Sequence, residues 1–253
     1  MKKNRNKSIF SPIIENLLYT IFPKRCFFCG KVISPRENTC EECGDRVERV
    51  ERPSCIYCGC GKDRCSCGKK RGYYEALAAV YYYNGPAREC IHRFKFSGQS
   101  EIGKSIAREM AETARTVFDG VKFDLVTSVP MRKKNIRARG FNQSELLAIE
   151  TGRLLDIPVN NSLLVKLYDT ESQHDLPELF RSGNIFGVFD VTDRDMINGK
   201  TVLLCDDVTT SGATLNECAK MLVINGAEKV YCLTAATTFT EKKKGSGFLA
   251  DGD

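Results

Sequence analysis

Residues 202–215 read VLLCDDVTTSGATL, and the reading of this stretch decides the fold. Val202, Leu203, Leu204 and Cys205 form an apolar run without alternation. That is the composition of a strand buried on both faces of a parallel sheet. Asp206 and Asp207 follow, then Val208 and the small, mostly hydroxylated residues Thr209, Thr210, Ser211, Gly212, Ala213 and Thr214. The amphipathic segment from Leu215 to Val223 predicts a helix. A loop between a strand and a helix offers backbone N–H groups, short hydroxyls and a positive helix end to one phosphate. The two carboxylates stand too close to such a phosphate to be its ligands. They are placed to accept hydrogen bonds from sugar hydroxyls of the same ligand.

The chain has 253 residues, enough for one domain or two with a sizeable core. No apolar run approaches the roughly 20 residues of a membrane span. The basic start (Lys2, Lys3, Arg5, Lys7) leads into an apolar stretch broken by Pro12, Glu15 and Asn16, so no signal peptide is expected. The expected location is the cytoplasm, where thirteen cysteines do not predict a disulfide framework. Charge and cysteine are both uneven. Residues 1–72 carry a net charge of +8 against −2 for the remainder, and nine of the thirteen cysteines lie between 26 and 67. Both shifts place a small N-terminal domain before about residue 72.

Residues 9–22, IFSPIIENLLYTIF, have helical apolar spacing along one face and predict a docking helix within 1–24. Cys26, Cys29, Cys40 and Cys43 then form two C-x2-C knuckles ten residues apart. A two-residue gap turns both thiolates of a knuckle toward one ion, and two knuckles complete a tetrahedron around Zn2+. Cys55 and Cys58 form a third knuckle, with Gly59 suited to its tight turn, and Cys65 and Cys67 close a second set at one-residue spacing. Cys60 is left over, and pairing between the two sets stays open. A segment this short and polar buries little apolar surface, so metal binding would supply its folding energy. Each four-thiolate site carries −2 with its ion, which would reduce the +8 to about +4 and weaken any argument from net charge.

Beyond the cysteines, Ala76–Tyr83 predicts a strand, and residues 86–95 and 101–118 predict helices. The first helix carries Lys95 and a His92 to which no chemistry is assigned. Residues 124–130, DLVTSVP, predict a second buried strand. It leads into a basic loop in which Arg132, Lys133, Lys134, Arg137 and Arg139 put five cations in eight positions. Loops leaving the carboxyl ends of parallel strands carry the site in open α/β sheets. Gly140-Phe141-Asn142-Gln143 opens a helix to Leu155, 162–167 predicts a strand, and 168–199 is long and irregular, as functional loops are. A last strand is expected over 229–234 and a loose tail from 241 to 253.

The 202–215 stretch resembles the 5-phosphoribosyl-1-pyrophosphate (PRPP) loop of type I phosphoribosyltransferases. The chain as a whole, over about residues 16–238, is similar to the ComF/GntX family, competence-associated relatives of those enzymes. The likeness rests on the paired cysteine knuckles, on YYNGPARECIHRFKFSG at 82–98 and on SVPMRKKNIRARGFNQSELLA at 128–148. It rests also on TESQHDLPELFRSGNIFGVF at 170–189 and on the loop itself. The resemblance implies a double zinc ribbon over 25–72 and a type I phosphoribosyltransferase domain over 73–240, an α/β fold with a parallel sheet and flanking helices. The one-residue spacing of Cys65 and Cys67 departs from the commoner closing knuckle.

By the same resemblance Val129, Pro130, Met131 and Arg132 form a pyrophosphate loop, and 168–190 a loop that covers bound PRPP. Asp206 and Asp207 would hold the ribose, directly or through Mg2+ bridging pyrophosphate and sugar. Val208 and Thr209–Thr214 would fix the 5′-phosphate. A nucleophile would attack C1 while pyrophosphate leaves, its charge stabilised by Mg2+ and by cations such as Arg132 and Arg139. Three functions fit: a phosphoribosyltransferase with an unidentified acceptor, a PRPP-binding module that engages single-stranded DNA or DNA-uptake proteins, and a PRPP-responsive regulator. For the second, Tyr81–Tyr83 and Phe27–Phe28 are candidates to stack bases.

Overall fold

The computed structural model describes residues 19, 22–68, 72–97, 100–167 and 188–239. The expected docking helix, apart from Tyr19 and Phe22, the covering loop expected over 168–190, apart from 188–190, and the tail lie outside the described residues. Among those described, no helix is long and apolar enough to cross a membrane.

Four parallel strands form the central sheet: β1 (Ala76–Tyr82), β2 (Leu125–Ser128), β5 (Thr201–Thr209) and β6 (Lys229–Thr237), in the order β1-β6-β5-β2. Side chains along β5 and β6 alternate between two buried clusters. Leu203, Cys205, Leu233 and Ala235 pack on one face, and Val202, Leu204, Val230 and Cys232 on the other. Both faces are therefore dry, which is why the strands lack polar alternation. After the short helix α1 (Glu41–Arg46) of the cysteine-rich segment, the first face is covered by α2 (Gly85–Ser97), α3 (Ser100–Val117) and α5 (Gln143–Leu155); α3 seats Ile102, Ile106, Met110 and Ala114 there. The second is covered by α6 (Ala213–Ile224) and by the antiparallel pair β3 (Leu164–Lys166) and β4 (Phe189–Val191). β4 falls inside 168–199, a stretch whose sequence predicts no regular element.

Both outer edges of the sheet are occupied. On β1, Val50 N–H donates to Val80 O at 2.9 Å and Tyr82 N–H to Glu48 O at 2.9 Å, an antiparallel pairing by the chain that leaves the first cysteine set. On β2, Val126 N–H donates to Pro158 O at 2.8 Å, and Val126 O accepts from Asn160 N–H at 2.9 Å. This approach needs Gly152 on α5, where a Cβ would run into Val159.

Three expectations are corrected. The strand does not stop at Cys205 but runs through Asp206 and Asp207 to Thr209, because β6 is longer than expected and supplies partners: Asp206 faces Thr234, Val208 faces Ala236 and Thr209 faces Thr237. The basic segment is not a loop: Lys133–Arg139 is a helix, α4, of good helix formers stopped by Gly140 in the left-handed region (φ 83°). The proposed base-stacking aromatics are largely inside. Tyr81, Tyr82 and Phe28 are buried: Phe28 meets Tyr81 edge-on at 5.6 Å, and Tyr82 Oη donates to Glu51 and accepts from Gly61 N–H. Phe27 and Tyr83 are half-buried against the same core. A strand covered on both faces has no aromatic surface to offer a base.

Candidate functional site

At the carboxyl end of β5 two adjacent carboxylates are held by different means. Asp206 is 9% exposed. It accepts from Ser144 Oγ at 2.7 Å and from the N–H of Asp207 at 2.8 Å. Burial pushes its carboxyl up to about 7, and the charge of Asp207 adds to that; the hydrogen bonds and Lys95 oppose it. Asp207 instead pairs with Lys95 Nζ at 2.8 Å. One acid is thus hydrogen-bonded in a dry setting, and the other is neutralised by an ammonium.

The segment Asn142-Gln143-Ser144 ties the surrounding elements together. Asn142 caps α5, accepting from Ser144 N–H at 3.1 Å, and its amide donates to Val129 O at 3.3 Å. Gln143 donates to Lys95 O at 3.3 Å. The end of β2, the last turn of α2 and the carboxylates of β5 therefore meet at one helix start. Neither Lys95 nor Ser144 stood out in the sequence. Asn142 as an N-cap was the available signal, since a short hydroxyl two residues later must lie at the same helix end.

The turn after β5 is open. Thr210, Ser211, Ala213 and Thr214 are exposed, and Gly212 occupies the left-handed region (φ 76°) just before α6, whose first turn holds no acid. Short hydroxyls, free approach and a positive helix end coincide there, which suits a phosphate. A Cβ on Gly212 would stand 3.4 Å from Tyr74 Oη, so Tyr74 lies directly against the turn.

The segment 129–132 is anchored at Val129, whose N–H donates to Cys205 O at 3.0 Å. Arg132 is the extended N-cap of α4. Arg139 lies at the far end of that helix, bonded to Gln143 Oε1 at 3.4 Å and stacked 5.5 Å over Phe96. Among the described residues, Lys95 pairs with one of the two carboxylates, Asp207.

The cysteines fall into two groups, Cys26, Cys29, Cys40, Cys43 and Cys55, Cys58, Cys65, Cys67, with all ligand atoms of each within 4.8 Å of one another. Tetrahedral thiolates around zinc stand about 3.8 Å apart. The observed Sγ···Sγ distances include 3.7 Å (Cys29–Cys40), 3.8 Å (Cys55–Cys67) and 3.6 Å (Cys58–Cys65). The donor sets fit the ion. Each first knuckle closes alike: Gly30 (φ 80°) donates to Cys26 O and Gly59 (φ 72°) to Cys55 O, both at 2.9 Å. Cys60 stands apart, buried against Thr237 Oγ1 at 3.8 Å.

Comparison with known proteins gives the class. Residues 17–72 match the family described as "Double zinc ribbon domain" and 142–247 that described as "Phosphoribosyl transferase domain". The DNA utilization protein YhgH of Escherichia coli is 30% identical over 215 residues, covering 82% of this chain and 88% of the relative. Competence protein F of Haemophilus influenzae is 28% identical over 227 residues, covering 84% of this chain and 96% of the relative. Competence protein ComFC of Bacillus subtilis is 29% identical over 205 residues, covering 77% and 82%. The fold is that of a type I phosphoribosyltransferase-like protein preceded by a double zinc ribbon. The chain belongs to the ComF/GntX family.

Proposed function

We propose that this protein binds PRPP at the carboxyl end of its sheet and transfers the phosphoribosyl group to an acceptor, within the DNA-uptake role that the names of its competence relatives suggest. The observation that supports it most is the delivery of Asp206 and Asp207 on β5 directly before the open Thr210–Thr214 turn. On this reading the turn holds the 5′-phosphate, the carboxylates hold the ribose hydroxyls, and Pro130, Met131 and Arg132 face the pyrophosphate. Val129 anchors that loop through its ladder bond. The C1–O bond to pyrophosphate breaks as the acceptor's lone pair forms a new bond to C1.

Adjacent carboxylates, one already carrying a cation, are a hard-oxygen donor set that suits Mg2+. Bound there, Mg2+ would neutralise charge on the departing pyrophosphate. Lys95 holds Asp207 in place through its ion pair, and Ser144 fixes the rotamer of Asp206. The boundaries proposed are 25–72 for a domain with two structural Zn2+ and 73–240 for the phosphoribosyltransferase domain, in a reducing cytoplasmic setting that keeps the thiolates free.

Calorimetry tests the pocket: the wild type should bind PRPP with Mg2+, and Asp206→Asn with Asp207→Asn should not. Equal binding by both would sink the assignment. For transfer, incubation with PRPP, Mg2+ and cell extract should release pyrophosphate in the wild type alone.

A second reading, binding of single-stranded DNA, is favoured by the exposed Lys133, Lys134 and Arg137 on one short helix and by Phe96, 65% exposed, beside Arg139. A shift of labelled single strands that weakens steeply with salt would support it. No retardation at low salt would refute it.

A further inference from the structure

The two zinc knuckles grip the sheet domain in the same way but at different places. In the first C-x2-C turn of each cysteine set, backbone carbonyls between or at the cysteines are taken up by side chains of the larger domain. In the first, Phe27 O accepts from Cys90 Sγ at 3.4 Å, and Phe28 O accepts from Arg93 Nη1 at 2.9 Å. Gly30 lies so close to that guanidinium that a Cβ would stand 2.9 Å from it. In the second, Tyr57 O accepts from Tyr74 Oη at 2.6 Å, and Cys58 O from Thr237 Oγ1 at 3.1 Å.

What lies behind these contacts differs. Arg93 is two residues before Lys95, which lies in the last turn of α2 and holds Asp207. The first knuckle therefore bears on the carboxylates. Tyr74 lies against Gly212, and Thr237 faces Thr209 across the β5–β6 ladder, with Thr238 N–H donating to Thr209 O at 3.1 Å. The second knuckle bears on the phosphate turn. A carbonyl is a useful anchor only while its turn keeps one conformation, and in a C-x2-C knuckle the metal keeps it.

From this we infer that the zinc ribbons are the two supports of the sugar-phosphate pocket: the first positions Lys95 and Asp207 through Arg93, the second positions the Thr209–Thr214 turn through Tyr74 and Thr237. Zinc occupancy and ligand affinity are then coupled. The inference rests on the PRPP reading above, and Arg93 and Tyr74 act as positioning residues that touch no ligand.

Coupling between two sites is reciprocal, so the ligand must tighten zinc by the factor by which zinc tightens the ligand. The test uses the full zinc-loaded chain. Calorimetry first establishes whether PRPP binds with Mg2+. Zinc is then withdrawn with a zinc-selective chelator at fixed excess Mg2+, with and without saturating PRPP. PRPP should raise the chelator concentration at half removal by about fivefold or more in the wild type, a common size for such coupling. Arg93→Met and Tyr74→Phe should each keep two zinc per chain and lose part of that shift. The double variant should lose nearly all of it, and Arg93→Lys should recover some. Asp206→Asn with Asp207→Asn should show no shift, which guards against direct competition by PRPP for metal. Binding of PRPP without a shift in the wild type, or a full shift in the double variant, overturns the coupling alone. Absence of PRPP binding in the wild type overturns the pocket reading and the coupling with it.

Discussion

The cysteine-rich segment and the sheet solve the same problem with different means. Between residues 22 and 68, the buried apolar residues are Cys26, Phe28, Cys43, Val50 and Cys60, three of them cysteines. The sheet buries whole strands: β1 is buried along all seven residues, and Val202–Cys205 are inaccessible. One part is organised by directional bonds to an ion, the other by area removed from water. The lesson is that damage to one should leave the other folded, and be felt there only through the contacts between them.

Metal removal should break the comparison most strongly. A structural zinc site contributes on the order of 10 kcal/mol of folding energy. Chelation should therefore bring amides of 26–68 to rapid hydrogen exchange while β5 and β6 stay protected, and equal exchange in both would contradict the division.

Next in size is Asp206→Asn. The carboxyl of Asp206 is raised from 3.8 to about 7 in the folded protein by burial. Below about pH 4 both states are protonated and the residue is neutral to stability. Between 4 and 7 only the unfolded chain loses its proton, so stability falls as pH rises, and above 7 the full penalty applies. The amide removes it, so the ligand-free variant should gain up to about 4 kcal/mol at pH 8.5 and little at pH 4. Denaturant titrations at the two pH values check this; an equal effect at both would show that the acid is not held in a dry site.

Leu204→Ala should cost about 3 kcal/mol through the cavity it leaves, with zinc content unchanged. The smallest effect is expected at Cys60→Ser, about 1 kcal/mol with two zinc retained. Cys65→Ser should instead release metal from the second cluster. Metal analysis of both variants sharpens which thiols belong to the ribbon.

Much of the architecture was legible because it is carried by local patterns. The unalternating run at 202–205 announced a strand buried on both faces, and the cysteine spacings singled out the eight thiols, Cys65 and Cys67 included, that the fold divides into two clusters, a division the spacing alone left open. What escaped was carried by partners distant in sequence. That Asp206 and Asp207 lie in a strand depends on β6 reaching Thr237, thirty residues on. Lys95 and Ser144 are ordinary residues on helices until the chain brings them to the carboxylates. The tyrosines at 81 and 82 look available to a base until Val50 and Glu48 are seen lying along β1. Composition shows what a residue can do; only the fold shows what already occupies it.

The pairing of Glu48 and Val50 with β1 has a further consequence. Unpaired strand edges recruit strands from other chains, and proteins guard against this by covering them. Here the outer edge of β2 is guarded by Pro158–Asn160, within the same domain, while that of β1 is guarded by the chain that joins the two cysteine sets. A ribbon that let go of its metal would uncover an apolar edge as it loosened. Self-association along that edge, rather than loss of the sheet, is the failure this arrangement invites, so the thiolates also act as guardians of solubility.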